Sequence, residues 1–104
     1  MAQFDVFSNA IAATRRAYPF LVALQSNLAQ SAHDQIVAPL VPLGLIPKVI
    51  SRLTPIVVWD GVEHMLLVPA LTGVRSRDLA VKRGSIASER YVVLAAIDYL
   101  FFGV

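Results

Sequence analysis

The sequence predicts a small, mainly β domain that ends in one C-terminal α-helix. Short runs of β-branched and aromatic residues fill its first two thirds, as is typical of strands. Asp60-Gly61 separates two of these runs, and both residue types tolerate the positive φ of a tight hairpin turn. The last nineteen residues, Ile86 to Val104, are apolar at helical spacing.

Five apolar runs predict the strands of the domain, with polar loops at Asn9 to Ala17 and Ser26 to Gln35. Pro39 and Pro42 lack a backbone N–H, so their strand is expected at a sheet edge or to end in a bulge. The runs are Phe4 to Phe7, Phe20 to Gln25, Ile36 to Val41, Pro55 to Trp59 and His64 to Val68.

The segment from Gly73 to Gly84 is basic and shows no apolar alternation, which favours a loop. A solvated loop is the simplest interpretation, and contact with a partner is the alternative. Its basic side chains are Arg75, Arg77, Lys82 and Arg83.

The terminal helix is predicted to begin near Ser85, a suitable N-cap, with Glu89 near the positive end of the helix dipole. Two apolar faces indicate two packing surfaces, one for the sheet and one for a symmetric mate; a helix enclosed in a single core is the alternative. The first face consists of Ile86, Val93, Ile97, Leu100 and Phe101, and the second of Val92, Ala96, Tyr99 and Phe102. Of the closing pair, Phe101 is expected in the core and Phe102 outside it.

Size and composition predict one domain over residues 1–104 that forms a homodimer. With 57% hydrophobic and 15% charged residues, a monomer of this length has more apolar side chains than it can readily bury. No apolar run is long enough for a membrane helix and no export signal is evident, so a cytoplasmic protein is expected. The net charge of +2 is scattered in pairs, which is weak support for nucleic-acid binding.

The titratable residues do not predict an enzyme, a metal site or a cofactor. Cysteine is absent, and no glycine-rich phosphate loop occurs. Glu63 and His64 are neighbours on a strand and would point to opposite faces, which is wrong for joint metal ligation. His33 and Asp34 fall in a loop, where a solvated pair is the simplest interpretation.

The chain resembles the CcdB family, toxins of plasmid-type toxin–antitoxin modules, from end to end. The closing stretch Ala96 to Val104, Ala-Ile-Asp-Tyr-Leu-Phe-Phe-Gly-Val, is similar to the family's Ala-Ile-Asn-Leu-Met-Phe-Trp-Gly-Ile. The other matching segments are Gln3-Phe4-Asp5-Val6, Leu24-Gln25-Ser26, Ile36-Val37-Ala38-Pro39-Leu40 and Leu53-Thr54-Pro55-Ile56-Val57.

The resemblance implies an SH3-like barrel with a twisted antiparallel sheet, a small three-stranded wing and a homodimeric assembly. Such toxins are not enzymes: they bind the A subunit of DNA gyrase and hold it on cleaved DNA. A CcdA-like antitoxin masks the toxin with a segment that orders on binding, and DNA is contacted only through gyrase or the antitoxin. The module serves plasmid maintenance and represses its own transcription.

The gyrase contacts implied by the resemblance lie at the helix end and at one turn. Phe102 stands where the family has tryptophan, and Asp98 stands where it has asparagine. Arg15 and Arg16 occupy the first loop, which in the family faces the antitoxin. The implied gyrase contacts are Asp98, Phe101, Phe102, Gly103 and Val104, with Leu28 and Ala29 from the turn.

Two alternatives remain open at this stage. Ribonuclease toxins of the MazF and Kid type share the barrel architecture. RNA cleavage requires a general base and a cation near one phosphate, and in this chain His33, Asp34 and Arg15 would have to supply them. The chain lacks the Gly-Asp-Ile opening and Arg-Pro dipeptide associated with those nucleases. The other alternative is a relative that only binds its antitoxin and acts in operator repression.

Overall fold

The computed structural model describes residues 1–29, 33–45 and 51–104 and contains seven strands and one α-helix in that part of the chain. Residues 30–32 of the predicted loop Ser26 to Gln35 lie outside the described residues. The elements are β1 (Asp5–Asn9), β2 (Phe20–Ala23), β3 (Asp34–Pro42), β4 (Ile56–Trp59), β5 (Val62–Leu66), β6 (Thr72–Arg75), β7 (Leu79–Ser85) and α1 (Arg90–Phe102). This mainly β architecture with a C-terminal helix is the predicted one.

All the strands belong to one antiparallel sheet. Six of them follow the order β4-β5-β3-β2-β1-β7, and β6 pairs with the first half of β3. β3 therefore has β2 along one side and two successive partners along the other, β6 for residues 34–37 and β5 for residues 40–42. The sheet therefore branches at β3, with β6 beside one part of this strand and the β4–β5 hairpin beside the other.

The expectation that β3 lies at a sheet edge is wrong, because β3 is central. Pro39 lies opposite Leu21 of β2, and its carbonyl oxygen accepts the Leu67 N–H at 2.9 Å on the other side. In a strand the N–H and C=O of one residue point to the same side. The missing donor of Pro39 therefore faces the chain between β5 and β6, where no ladder partner requires it.

The hairpin prediction is confirmed. Trp59 of β4 pairs with Val62 of β5, and the two residues between them have the positive φ values of a primed turn, 53° at Asp60 and 71° at Gly61.

The sheet curls until its two end strands approach each other. Trp59 of β4 lies against Gly84 of β7, so closely that a Cβ built on Gly84 would lie 2.9 Å from Trp59 Nε1. On its other side, Trp59 makes edge contacts with Phe20 and His64, with ring centroids 4.9 Å and 5.2 Å away. β4 and β7 are the two ends of the strand order and are not paired with each other, and the Trp59 indole fills the space between them.

Two apolar clusters occupy opposite faces of the sheet, as the alternation of side chains along a strand requires. The larger lies under α1 and joins Val93 and Ala96 to the strands, while the smaller contains Phe7, Leu21 and Val37. Helix and sheet are therefore held together by one contiguous core. None of the helices among the described residues is long and apolar enough to cross a bilayer.

The prediction of a loop over Gly73 to Gly84 is wrong, because the segment contains β6 and β7. β7 is an end strand whose residues are mostly exposed, so its side chains show no apolar alternation. Lys82 is paired with the buried Asp5 at 3.4 Å, and Arg83 Nε donates to Ser8 Oγ at 2.7 Å. Both charges therefore sit on a paired strand.

The helix starts five residues later than predicted. Ser85 Oγ accepts the Ala87 N–H at 3.0 Å, but Ala87–Glu89 form a 3-10 turn whose N-cap position is Ile86, and α1 begins at Arg90. At the other end, Gly103 adopts the left-handed conformation at φ 72° and donates its N–H to Tyr99 O at 3.0 Å. A glycine in this position is a common helix C-cap.

Substituting Gly84 with alanine tests the closure by Trp59. The added Cβ would overlap the indole, and φ of +152° is strained for any side chain. We expect the G84A variant to lose about 2 to 4 kcal/mol of unfolding free energy, measured by urea denaturation at fixed protein concentration.

The matched control is G73A, another strand glycine, whose Cβ would lie 3.7 Å from Ile36 Cδ1. It should change stability by less than about 1 kcal/mol. In a W59L background the cost of G84A should fall by about 1 kcal/mol or more. Equal costs for G84A and G73A would contradict the closure.

Candidate protein-binding site

The end of α1 carries large apolar side chains that its own subunit does not cover. Phe101 is 60% exposed, Phe102 75% and Val104 77%. Asp98 and Gly103 are exposed beside them. Contiguous exposed apolar groups of this kind mark interaction sites on soluble proteins.

The expectation that Phe101 packs in the core is wrong. Val93 and Ala96 are the buried positions of α1, and Ile97 and Leu100 pack partly against the same core. Phe101, one turn after Ile97, is not among the side chains packed against this core and is largely exposed. Its ring instead lines a shallow apolar groove with Leu24, Gln25, Ile36, Leu71 and Ile97.

The turn that carries Leu28 and Ala29 is tied to this groove through Gln25. Gln25 Nε2 donates to Ala29 O at 2.6 Å, and Gln25 Oε1 accepts the Ile36 N–H at 2.5 Å. Leu28 is fully exposed. Gln25 lines the groove together with Phe101 and also holds the turn by its bond to Ala29.

Gln25 was not among the predicted site residues. Its Leu-Gln-Ser segment marks the turn, but a polar residue after an apolar run carries no signal of its hydrogen bonds. The long-range bond to the Ile36 N–H, eleven residues away, appears only when β2 and β3 are placed side by side.

A second exposed stripe runs along α1 away from the sheet. Tyr91 and Val92 are exposed, and Ala95 follows one turn later. On the flank of this stripe, the guanidinium carbon of Arg52 lies 4.0 Å from the centroid of the Tyr99 ring. This cation–π contact fixes the segment before β4 against the last turns of the helix.

Arg15 and Arg16 are exposed at the opposite end of the β1–β2 pair. Asn9 holds their loop, because its Nδ2 donates to Thr14 Oγ1 at 3.0 Å and to Tyr18 O at 2.9 Å. The loop leaves β1 at Asn9, whereas the turn with Leu28 follows the far end of β2. The structure therefore does not bring the two arginines to the helix end.

The histidines lie in two unrelated places. His64 is buried, with Nδ1 2.8 Å from Val62 O, and Glu63 beside it is exposed, so the two do point to opposite faces. His33 and Asp34 line a cavity with Arg75 and Arg77 rather than with Arg15. Within the described residues, no group of three or more His, Asp or Glu side chains is placed to bind a metal ion.

A curled antiparallel sheet with a C-terminal helix is the architecture of the barrel-type toxins to which the sequence motifs pointed. The model of the CcdB protein family matches residues 3–103, nearly the whole chain, and the chain therefore belongs to the CcdB family. Membership places it among the toxins of toxin–antitoxin modules. A search of curated proteins gives no match.

The exposed helix end should contribute little to folding. We expect F102A to change the unfolding free energy by less than about 0.5 kcal/mol, because its ring is outside the core. V93A, at a fully buried position of the same helix, should cost about 2 kcal/mol. Chemical denaturation of both variants tests this, and a comparable loss in F102A would show that the ring packs in the subunit.

Proposed function

We propose that the protein is a dimeric, non-enzymatic toxin that binds the A subunit of DNA gyrase and stabilises its cleaved DNA complex. The observation that carries the proposal is the exposure of Phe101, Phe102 and Val104 at the end of a helix whose inner face is fully packed. Family membership supplies the class of target, and the exposed apolar surface supplies the means of binding it.

Phe102 is the proposed anchor. Its ring is exposed next to Gly103, which has no side chain to block a partner's backbone. An arginine of the target can stack on the ring face, and this attraction strengthens when the partner excludes water. Phenylalanine is a weaker cation–π partner than tryptophan, so the family's tryptophan should bind more tightly at this position.

Asp98, Leu28 and Ala29 are proposed to flank the anchor. Asp98 is exposed one turn before Phe102 and offers a carboxylate to a basic group of the target. Leu28 projects into solvent from the turn that Gln25 holds beside the groove. Together these groups surround an apolar centre with a polar rim, which is typical of protein interfaces.

The stripe of Tyr91, Val92 and Ala95 is proposed as the homodimer contact. It lies on the face of α1 opposite the core and has a small residue at its centre, which allows two helices to approach closely across a two-fold axis. Pairing along this stripe would bring two copies of the helix end to one side of the dimer, where they can engage a dimeric target together.

Arg15 and Arg16 are proposed to contact the antitoxin. Both are exposed on the loop after β1, distant along the β1–β2 pair from the turn beside the helix end. Paired arginines suit the carboxylates of an acidic segment that orders on binding. A segment anchored there and extending towards α1 would cover the site for gyrase.

Gyrase-mediated DNA cleavage tests the proposed anchor. Purified protein incubated with gyrase, ATP and supercoiled plasmid should produce linear DNA after denaturation of the enzyme. We expect F102A to require about tenfold to thirtyfold more protein, because a desolvated cation–π contact is lost, and F102W to require about threefold less. Deleting residues 102–104 should abolish cleavage.

V81A provides the control, since Val81 is an exposed apolar residue of β7 outside the proposed site. It should cleave like the unmodified protein. Full activity of the deletion variant would reject the site. Degradation of RNA instead of DNA would favour the ribonuclease alternative, and neither activity, with antitoxin binding retained, would favour the relative that only binds its antitoxin.

Introducing a charge into the stripe tests the dimer contact. A95R should convert the dimer to a monomer at micromolar concentration in analytical ultracentrifugation, because two arginines would meet across the two-fold axis. V81R introduces the same charge on β7 and should remain a dimer. A dimeric A95R variant would place the interface elsewhere.

A further inference from the structure

A cavity lined by arginine and serine lies on the other side of β3 from β2, at the turn that follows β6. His33, Asp34, Arg75, Ser76 and Arg77 line its volume of about 460 Å³. A second cavity of about 510 Å³ shares Asp34 and both arginines with it. The second cavity adds the apolar side chains Ile11, Ile36 and Val74. Because the two share these three residues, we call them together the arginine cavity, which has a polar and an apolar part.

Backbone hydrogen bonds fix the turn that forms the polar part. The Ser76 N–H donates to His33 O at 2.7 Å, which ties the turn to the start of β3. The Arg75 N–H donates to Asp78 Oδ2 at 3.2 Å, and Asp78 O accepts the Ala10 N–H at 3.1 Å. The arginines therefore extend from a turn that is anchored on both sides, so little order has to be gained on binding.

The side-chain hydroxyl of Ser76 is an unpaired hydrogen-bond donor within the described part of the chain. Its Oγ is buried and has no hydrogen-bond partner among residues 1–29, 33–45 and 51–104. Buried polar groups in folded proteins are nearly always paired, because an unpaired one has lost its water without compensation. Ser76 lines the cavity, and a change of its χ1 rotamer would turn this covered hydroxyl towards a ligand oxygen that supplies the missing acceptor.

The guanidinium groups are available to a ligand as well. The one ion pair between two described residues joins Lys82 to Asp5. Arg75 lies opposite Asp34 in the β3–β6 ladder without forming an ion pair with it. Two carboxylates, Asp34 and Asp78, also line the arginine cavity. Their negative charge repels a ligand whose charge is spread over its whole length. It favours a ligand whose negative charge is confined to one group, placed beside the arginines and Ser76.

We propose that the arginine cavity binds a nucleoside phosphate. The phosphate accepts hydrogen bonds from Arg75, Arg77 and Ser76, since its tetrahedral oxygens can meet three donors at once and the planar guanidinium suits phosphate geometry. The base covers the apolar part. The same chemistry is offered by a free mononucleotide and by the terminal nucleotide of a nucleic-acid strand. This binding does not require gyrase.

Calorimetric titration of the full-length protein with adenosine 5′-monophosphate, and separately with adenosine, tests the proposal. We expect the monophosphate to bind at least about tenfold more tightly, because a hydrogen bond to a charged group is worth that factor or more. S76A keeps the charge and removes only the hydroxyl, and it should weaken monophosphate binding about tenfold without destabilising the fold. R75M/R77M should remove detectable binding.

R83M/R90M is the matched control, since it removes two exposed positive charges outside the cavity and should bind the monophosphate normally. Titration with a single-stranded hexanucleotide, with and without a 5′-phosphate, identifies the source. Tighter binding of the phosphorylated strand than of the monophosphate indicates a strand end, and the reverse order indicates a free nucleotide.

Three results would overturn the proposal. The first is equal affinity for adenosine and its monophosphate, and the second is an equal loss of binding in R75M/R77M and R83M/R90M. The third is displacement of the monophosphate by an equal concentration of a hexaglutamate peptide, which would assign the cavity to carboxylates.

Discussion

The packing of α1 on the sheet is the constraint from which the proposed binding surfaces follow. Val93 and Ala96 are seated in the larger core, and they fix the rotation of the helix about its axis. With 3.6 residues per turn, that rotation directs the stripe around Ala95 away from the sheet and leaves the last turn, with Phe102, beyond its margin. The left-handed Gly103 then ends the helix just after its most exposed apolar residues. Exposure of the helix end is thus a geometric consequence of where the core stops.

The sheet on which α1 packs is stabilised by the contact between its two end strands, β4 and β7. Trp59 fills the gap between β4 and β7 because residue 84 is glycine, and its edge contacts with Phe20 and His64 tie three strands to one aromatic cluster. A sheet that curls in this way presents a concave face to the helix. The loop with Arg15 lies at the end of the β1–β2 pair away from the helix end. The arginine cavity borders both, because Ile11 of that loop lines it and Ile36 lines both it and the groove at the helix end.

Most of the fold could be predicted from the sequence, because apolar runs and turn residues report local structure. The hairpin at Asp60-Gly61 is an example, since the backbone conformation is dictated by the two residues that adopt it. The errors arose where tertiary context decides. Pro39 lies in a central strand because the partner of β3 changes at that point, and β7 is a strand because it pairs with β1, although its own residues are mostly exposed. For the site, periodicity located the helix but misplaced Phe101, because spacing alone does not tell where the core beneath the helix ends. The hydrogen bonds of Gln25 and the position of Ser76 depend on contacts between distant segments and had no sequence signal.

The central claim is that the helix end remains outside its own subunit in order to bind a partner protein. Hydrogen–deuterium exchange of the toxin, alone and with purified gyrase A subunit, measures this directly for each part of the backbone. We expect slower exchange at residues 98–104 and 27–29 in the complex, with residues 75–78 unchanged. Unchanged exchange at 98–104, with protection at 75–78 instead, would contradict it and move the partner surface to the arginine cavity.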